Sequence, residues 1–268
     1  MNQTKIEWCD CTWNPVTGCL HGCPYCYAQR QAHRFGGYAL PDGRTLHAPL
    51  EGETCVLDEP FLICRKNGKM AKASFPYDFT PTFHRYRLDE PEKDKEPKNI
   101  FVVSMGDLFG KWVPKEWIEE IFAACERAPW HRYLFLTKNP SRYRGLNGPK
   151  NAWYGATVVN SADFVYPCRT NDLLCSDQKN TFLSIEPLQS KLYAIALDNL
   201  KCFKWVIVGA ETGNRKEKTV PQRKWIKDIV DSCHTAGIPV FMKNSLTKVW
   251  GAPLIQEFPW SKEDNSNA

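Results

Sequence analysis

Cys19, Cys23 and Cys26 stand at C-x3-C-x2-C in GCLHGCPYC (residues 18–26), with His21 between the first two and Tyr25 before the last. Three thiols at this spacing admit three chemistries. Structural zinc takes four tetrahedral ligands, and His21, His33, Cys9, Cys11, Cys55 and Cys64 are each able to supply the fourth. A redox pair at Cys23 and Cys26 suits a helix N-terminus but leaves Cys19 without a role. An iron–sulfur cube on three protein thiolates leaves one iron open to a further ligand, which makes the cluster a reagent.

The elements that must position these thiols follow from the rest of the chain. With 268 residues, 43 % of them hydrophobic, the sequence can bury a core as a single α/β domain over 1–268. Five of the twelve cysteines fall in the first 26 residues, a clustering that in a reducing compartment points to metal or redox chemistry rather than a disulfide scaffold. A basic leader followed by an apolar run is missing, and no stretch approaches the roughly 18 apolar residues of a membrane span. The expectation is a soluble cytoplasmic protein with no membrane partner. A net charge of +5 and a pI near 8.5 permit a polyanionic substrate without demanding one.

YAQRQAHRFGG (27–37) reads as an amphipathic helix closed by glycines. Residues 38–98, with Cys55, Cys64 and the charged EPEKDKEPK, read as a long excursion after that helix. From 99 onward apolar runs recur: IFVVSMGD (100–107), YLFLTKNP (133–140), AWYGATVVN (152–160), TFLSIEP (181–187), WVIVGAETG (205–213) and IPVFMKN (238–244). Helical patterns intervene at 114–129, 162–176, 190–200 and 221–237. Such alternation predicts right-handed βαβ units, and we expect a complete or partial (β/α) barrel of about six to seven parallel strands. Asp107, Lys138, Asn160, Glu186, Glu211 and Lys243 each end a different strand, the end at which barrels keep their sites.

In this setting the cysteine motif, with Tyr25 before its last thiol, resembles the signature of the radical S-adenosylmethionine superfamily. The resemblance implies a [4Fe-4S] cluster on Cys19, Cys23 and Cys26, with S-adenosyl-L-methionine chelating the open iron. One electron then cleaves the sulfonium to a 5′-deoxyadenosyl radical that abstracts hydrogen from a substrate. It also implies a barrel whose cluster loop follows the first strand, here TWNPVTG (12–18), and an electron donor such as flavodoxin or ferredoxin. WNPVTGCLHGCPYCYA, FHRYRLDEP, IFVVSMGDLFG, LTKNP, SIEPL and VIVGAETG together resemble the phage-associated three-Cys-motif family of that superfamily, over residues 4 to 245, with 45–80 departing from its pattern.

Cofactor-binding expectations follow. SMGD occupies the place of the superfamily's Gly-Gly-Glu, which assigns Ser104, Gly106 and Asp107 to the cofactor's ammonium; Tyr25 presents backbone to adenine. Asn160 suits the ribose. Glu186 and Glu211 follow apolar runs, where an unpaired carboxylate is costly unless it faces a wet mouth or pairs with Lys138 or Lys243. Trp8, Trp13 and Asn14 read as packing residues, and His21 as solvent-facing or bonded to a cluster sulfide.

Two substrate classes remain open. In one the basic excursion, with Lys66, Lys69, Lys72, His84, Arg85 and Arg87 among Phe75, Tyr77, Phe79, Phe83 and Tyr86, tracks phosphate and stacks bases of a nucleic acid. In the other the excursion is a lid over a small metabolite or a protein side chain. A zinc-stapled barrel acting as a nucleic-acid or protein interaction module is the non-enzymatic alternative.

Overall fold

The six apolar runs become strands because their residues are buried on both faces, as in a parallel sheet covered by helices. The computed structural model describes residues 1–36, 54–64, 67–165 and 169–260. The beginning of the expected excursion, Lys66, Cys168, the second glycine closing the first helix and the middle of the 162–176 helix lie outside the described residues.

In chain order the strands are β1 (Asn2–Gln3), β2 (Cys11–Trp13), β3 (Val16–Thr17), β4 (Cys55–Leu57), β5 (Leu62–Cys64), β6 (Met70–Lys72), β7 (Thr82–His84), β8 (Asn99–Val102), β9 (Arg132–Thr137), β10 (Ala152–Val158), β11 (Thr181–Ile185), β12 (Trp205–Val208) and β13 (Val240–Met242). The helices are α1 (Tyr27–Phe35), α2 (Glu90–Lys93), α3 (Lys115–Arg127), α4 (Arg169–Leu174), α5 (Ala194–Asn199), α6 (Arg223–Thr235) and α7 (Thr247–Trp250). The main sheet runs β1-β2-β8-β9-β10-β11-β12-β13. β1 pairs antiparallel with β2, β2 parallel with β8, and β10 through β13 parallel in succession. This is an α/β fold of the partial-barrel type.

The chain divides into two compact units. The first takes Met1–Thr4, Cys9–Tyr133 and Gly148–Asn151. Here the anticipated first strand over 12–18 is two strands. β2 ends at Trp13 before Pro15, which lacks the N–H a ladder needs, and β3 joins a second sheet ordered β3-β7-β4. The described excursion is thus tied to the residues just before Cys19: Val16 faces Phe83 and Thr17 faces Thr82, while β4 runs parallel to β7. α3 buries Trp117, Ile118, Ile121, Phe122, Ala124 and Cys125, a stripe at helical spacing, with Pro114 as its N-cap.

The second unit takes Lys5–Trp8, Leu134–Asn147 and the described residues from 152 onward. Every residue of β10, β11, β12 and β13 is buried. Trp8 packs at 6.3 Å from both Phe182 and Trp205, as the packing role expected of it requires. α6 ends in a Schellman turn: Gly237 adopts φ +71°, its N–H donates to the His234 carbonyl, and Ile238 N–H donates to the Cys233 carbonyl. The 162–176 pattern resolves into a short 3-10 turn at Ser161–Phe164 and α4.

Candidate functional site

The three cysteines lie on the loop between β3 and α1, and helix formation itself places the last of them. Cys26 is the N-cap of α1, its Sγ accepting the Gln29 N–H at 3.3 Å, and Cys26 N–H donates to the Cys23 carbonyl at 3.1 Å. Cys19 Sγ accepts the His21 N–H at 3.5 Å. All three thiols are half-buried. Cys19, Cys26 and Met105 pack on Ala28, Ala32, Phe75 and Phe79, so one wall of the site is apolar and comes from α1 and the excursion.

Burial, the Asp107 carboxylate, and to a smaller extent Cys23 and Cys26, push the Cys19 thiol up to about 12 against the His21 N–H. The thiols are therefore near enough to act on one another electrostatically. A metal cation bound to Cys19 would favour its thiolate against these effects.

The loop after β8 is fastened to this site from several sides. Val103, in the left-handed region at φ +59°, turns the chain away from the strand direction, a backbone strain that a β-branched residue holds only when its surroundings fix it. Ser104 Oγ and Met105 N–H both donate to Asn14 Oδ1, at 3.1 and 2.9 Å. Tyr27 OH donates to the Ser104 carbonyl at 2.6 Å, and Gly18 N–H to the Met105 carbonyl at 2.9 Å. A Cβ on Gly106 would stand 2.7 Å from the Gly18 carbonyl oxygen, so glycine is required for this approach.

Asp107 is buried, and both oxygens are used: Oδ2 lies 2.8 Å from His21 Nε2 and Oδ1 accepts the Phe109 N–H at 3.0 Å. The turn-capping role and a pairing with the cysteine loop therefore coincide in one residue. His21, expected to face solvent or a sulfide, instead pairs with Asp107 and meets the Trp112 ring edge-on at 4.9 Å.

Cys19, Cys23, Cys26, Tyr25, Ser104, Gly106 and Asp107 thus come together within the first unit. Sequence reasoning missed Asn14 and Tyr27, whose partners are 90 and 77 residues away. Asn14 carries the adjacent loop and is more than a packing residue.

The other expected site residues belong to the second unit, and each has a partner there. Asn160 caps a 3-10 turn by accepting the Ala162 N–H at 2.9 Å. Glu186 accepts from Lys243 Nζ at 2.5 Å, which realises the Glu–Lys pair considered from the sequence. Glu211, whose side chain is 2 % exposed, takes Arg215 Nε and Nη2 on its two oxygens at 2.7 and 2.8 Å.

Among its described residues the basic excursion does not form a stacking face. Phe75, Phe79 and Phe83 are core residues, and His84 is fully buried. Arg85 is held by Glu120 and Asp58, Arg87 by Glu90 and the Asn14 carbonyl, and Lys72 lies over Tyr86. Cys55 is buried in β4 and Cys64 exposed in β5. Among the described residues no three His, Cys, Asp or Glu side chains are arranged to hold a single metal ion. Thiols on a multi-iron cube each bind a different iron, and the three cysteines, with amide donors to two sulfurs and an apolar wall, are a donor set that fits such a cube.

Solved structures share the fold. A double mutant of spore photoproduct lyase with bound AdoMet and dinucleoside spore photoproduct aligns at 9% identity and TM-score 0.52, over 90% of this chain and 78% of that one. A single mutant of the same lyase aligns at 11% identity and TM-score 0.51, over 90% and 78%. No curated protein sequence matches this chain. A family model described as "Protein of unknown function (DUF5131)" matches residues 3–256, and the chain belongs to that family.

Proposed function

We propose that this protein is a radical S-adenosylmethionine enzyme in which Cys19, Cys23 and Cys26 hold a [4Fe-4S] cluster. The observation that carries the reading is the fastening of the 104–107 loop to the cysteine loop through Asn14, Gly18, Tyr27 and the His21–Asp107 pair. Three thiols alone fit several chemistries; three thiols with a second loop locked beside them fit a cofactor held against the cluster. When bound, the cluster supplies an electron that cleaves S-adenosylmethionine to a 5′-deoxyadenosyl radical, which takes hydrogen from the substrate.

The chain's own residues bind, orient and shield. Phe75, Phe79 and Met105 exclude water from the thiols, and the amides of His21 and Gln29 donate to the sulfurs. Ser104 and Gly106 present backbone to the cofactor's amino acid moiety, with Tyr25 beside the adenine. Asp107 keeps the loop in place through His21 rather than as a lone carboxylate. Asn160, Glu186 and Glu211 keep the partners named above within the second unit.

We assign the substrate to the nucleic-acid or nucleotide class. The support is the fold shared with a lyase whose structure contains a dinucleoside photoproduct, not the excursion's cations, of which Arg85 and Arg87 are taken up by ion pairs. An electron donor of the flavodoxin or ferredoxin type completes the system. A zinc-stapled module is not favoured, since no three ligating side chains among the described residues suit one ion.

The test is to purify the protein without oxygen, count iron and sulfide, and assay 5′-deoxyadenosine after dithionite and S-adenosylmethionine are added. About four irons per chain and deoxyadenosine formation are expected. Cys19→Ser, Cys23→Ser and Cys26→Ser should each abolish deoxyadenosine, while Cys64→Ser leaves it unchanged. One tightly held zinc and no cluster after reconstitution would refute the proposal.

A further inference from the structure

Reduction of a cluster requires a donor to dock beside it, and α1 is the helix that leaves the cluster loop, with Cys26 as its N-cap. Its inner face is Ala28 and Ala32, fully engaged with Phe75 and Phe79. Its outer face, read at steps of three and four residues, is Tyr27, Arg30, Gln31 and Arg34, all exposed. The helix contains no acidic residue. Arg30 and Arg34 make no ion pair among the described residues, Arg34 lying only over the Phe35 ring at 5.2 Å. This contrasts with Arg85, Arg87, Arg127, Arg144, Arg169 and Arg215, each bonded to a carboxylate. His33 on the neighbouring edge is paired with Asp78.

Two exposed apolar side chains are next in sequence to the thiols. Leu20, between Cys19 and Cys23, is 47 % exposed, and Tyr27, next to Cys26, is 42 % exposed. Unpaired cations beside exposed apolar groups give a surface that steers an acidic protein electrostatically and then excludes water at the contact.

We infer that the outer face of α1, with Arg30, Arg34, Tyr27 and Leu20, is the docking surface for an acidic electron-transfer protein. The inference rests on the proposed radical function. In the step it serves, the reduced donor loses one electron and the cluster gains it, with no proton or atom transferred. Nucleic acid is the less fitting occupant, because the face lies on the helix that begins at a cluster ligand, where a short electron path is of use.

The experiment is stopped-flow reduction of the reconstituted enzyme by a dithionite-free, photoreduced flavodoxin of net negative charge, followed by cluster absorbance against ionic strength. For the wild type the rate should fall steeply with salt. Arg30→Glu with Arg34→Glu should slow donor-driven reduction at least tenfold at low salt and flatten the salt dependence. Arg30→Lys with Arg34→Lys should preserve most of the rate, and charge reversal at the exposed Lys115 and Lys201 should leave it unchanged. Dithionite-driven reduction and deoxyadenosine formation should be the same in all variants, which shows that each is folded and loaded. An unchanged flavodoxin rate in the double Glu variant overturns the docking surface while leaving the enzyme reading standing. Loss of retention on single-stranded DNA with an unchanged flavodoxin rate assigns the face to nucleic acid and overturns it too. Wild-type protein that dithionite cannot reduce overturns the functional reading itself.

Discussion

Asn14 anchors the loop after β8 by two hydrogen bonds. Its Oδ1 accepts both Ser104 Oγ and Met105 N–H, and it is 4 % exposed, so no water replaces it readily. Asn14→Ala leaves a buried amide without an acceptor, which costs about 1–3 kcal/mol. We predict that loss in urea unfolding, with a larger proportional loss in S-adenosylmethionine affinity by equilibrium dialysis, since the loop rather than the core is released. A stability loss with unchanged affinity would reduce Asn14 to a packing residue. The grouping of Cys19, Cys23 and Cys26 on one loop was legible because the three thiols are close in sequence. Asn14, Tyr27 and the His21–Asp107 pair were not, because their partners are 77 to 90 residues distant and nothing in NPVTG or CYAQ marks them. Glu186 with Lys243 stood between these cases: both were placed at strand ends, and the ends of β11 and β13 do bring them together.

At the scale of elements, apolar runs announced the strands, but the runs were longer than the strands they form. IFVVSMGD supplies β8 only to Val102, since Val103 at φ +59° cannot continue a pleat and redirects Ser104 toward Asn14. The polar tails of these runs are loops, and the site is made of loops. Gly106→Ala would place a methyl 2.7 Å from the Gly18 carbonyl oxygen and push the two loops apart. We expect iron retention and deoxyadenosine formation to fall several-fold in this variant, with far-ultraviolet circular dichroism unchanged. Gly237→Ala is the complementary test away from the site. It forces Ala into φ +71° at the end of α6 and should cost about 1–2 kcal/mol in denaturant unfolding without changing iron content. The three-residue strands β4, β5, β6 and β7 were illegible, because so short a strand has no period and is defined only by distant partners.

At the scale of the molecule, alternation of strand and helix was enough to identify a parallel sheet of the barrel type, since continuous apolar runs separated by amphipathic segments have few other packings. The joining of the excursion to β3 was not evident, and it has a consequence for stability. His84 on β7 is buried; its N–H donates to the Pro15 carbonyl and its Nε2 lies 2.9 Å from Thr17 Oγ1. Burial, and secondarily Arg87, lower its pKa to about 3, against a smaller opposing effect of Glu90. The folded chain holds this imidazole neutral where the unfolded chain protonates it, so the unfolded state binds the extra proton. Its contribution is full above the unfolded value near 6.5 and is lost as the pH falls from there toward 3, at about 1.4 kcal/mol per pH unit. Thermal unfolding between pH 6.5 and 4.5, above the range of the carboxylates, should show this decline in the wild type and a flatter one in His84→Gln. Equal slopes would show that His84 is not held neutral.

The central claim is that three thiolates hold a cluster whose fourth iron is open to S-adenosylmethionine. The most direct measurement is electron paramagnetic resonance of the anaerobic, dithionite-reduced protein with and without that cofactor. The account predicts a reduced [4Fe-4S] signal whose g values shift when S-adenosylmethionine is added, and no such signal in Cys26→Ser. A signal indifferent to the cofactor, or zinc in place of iron, would contradict it.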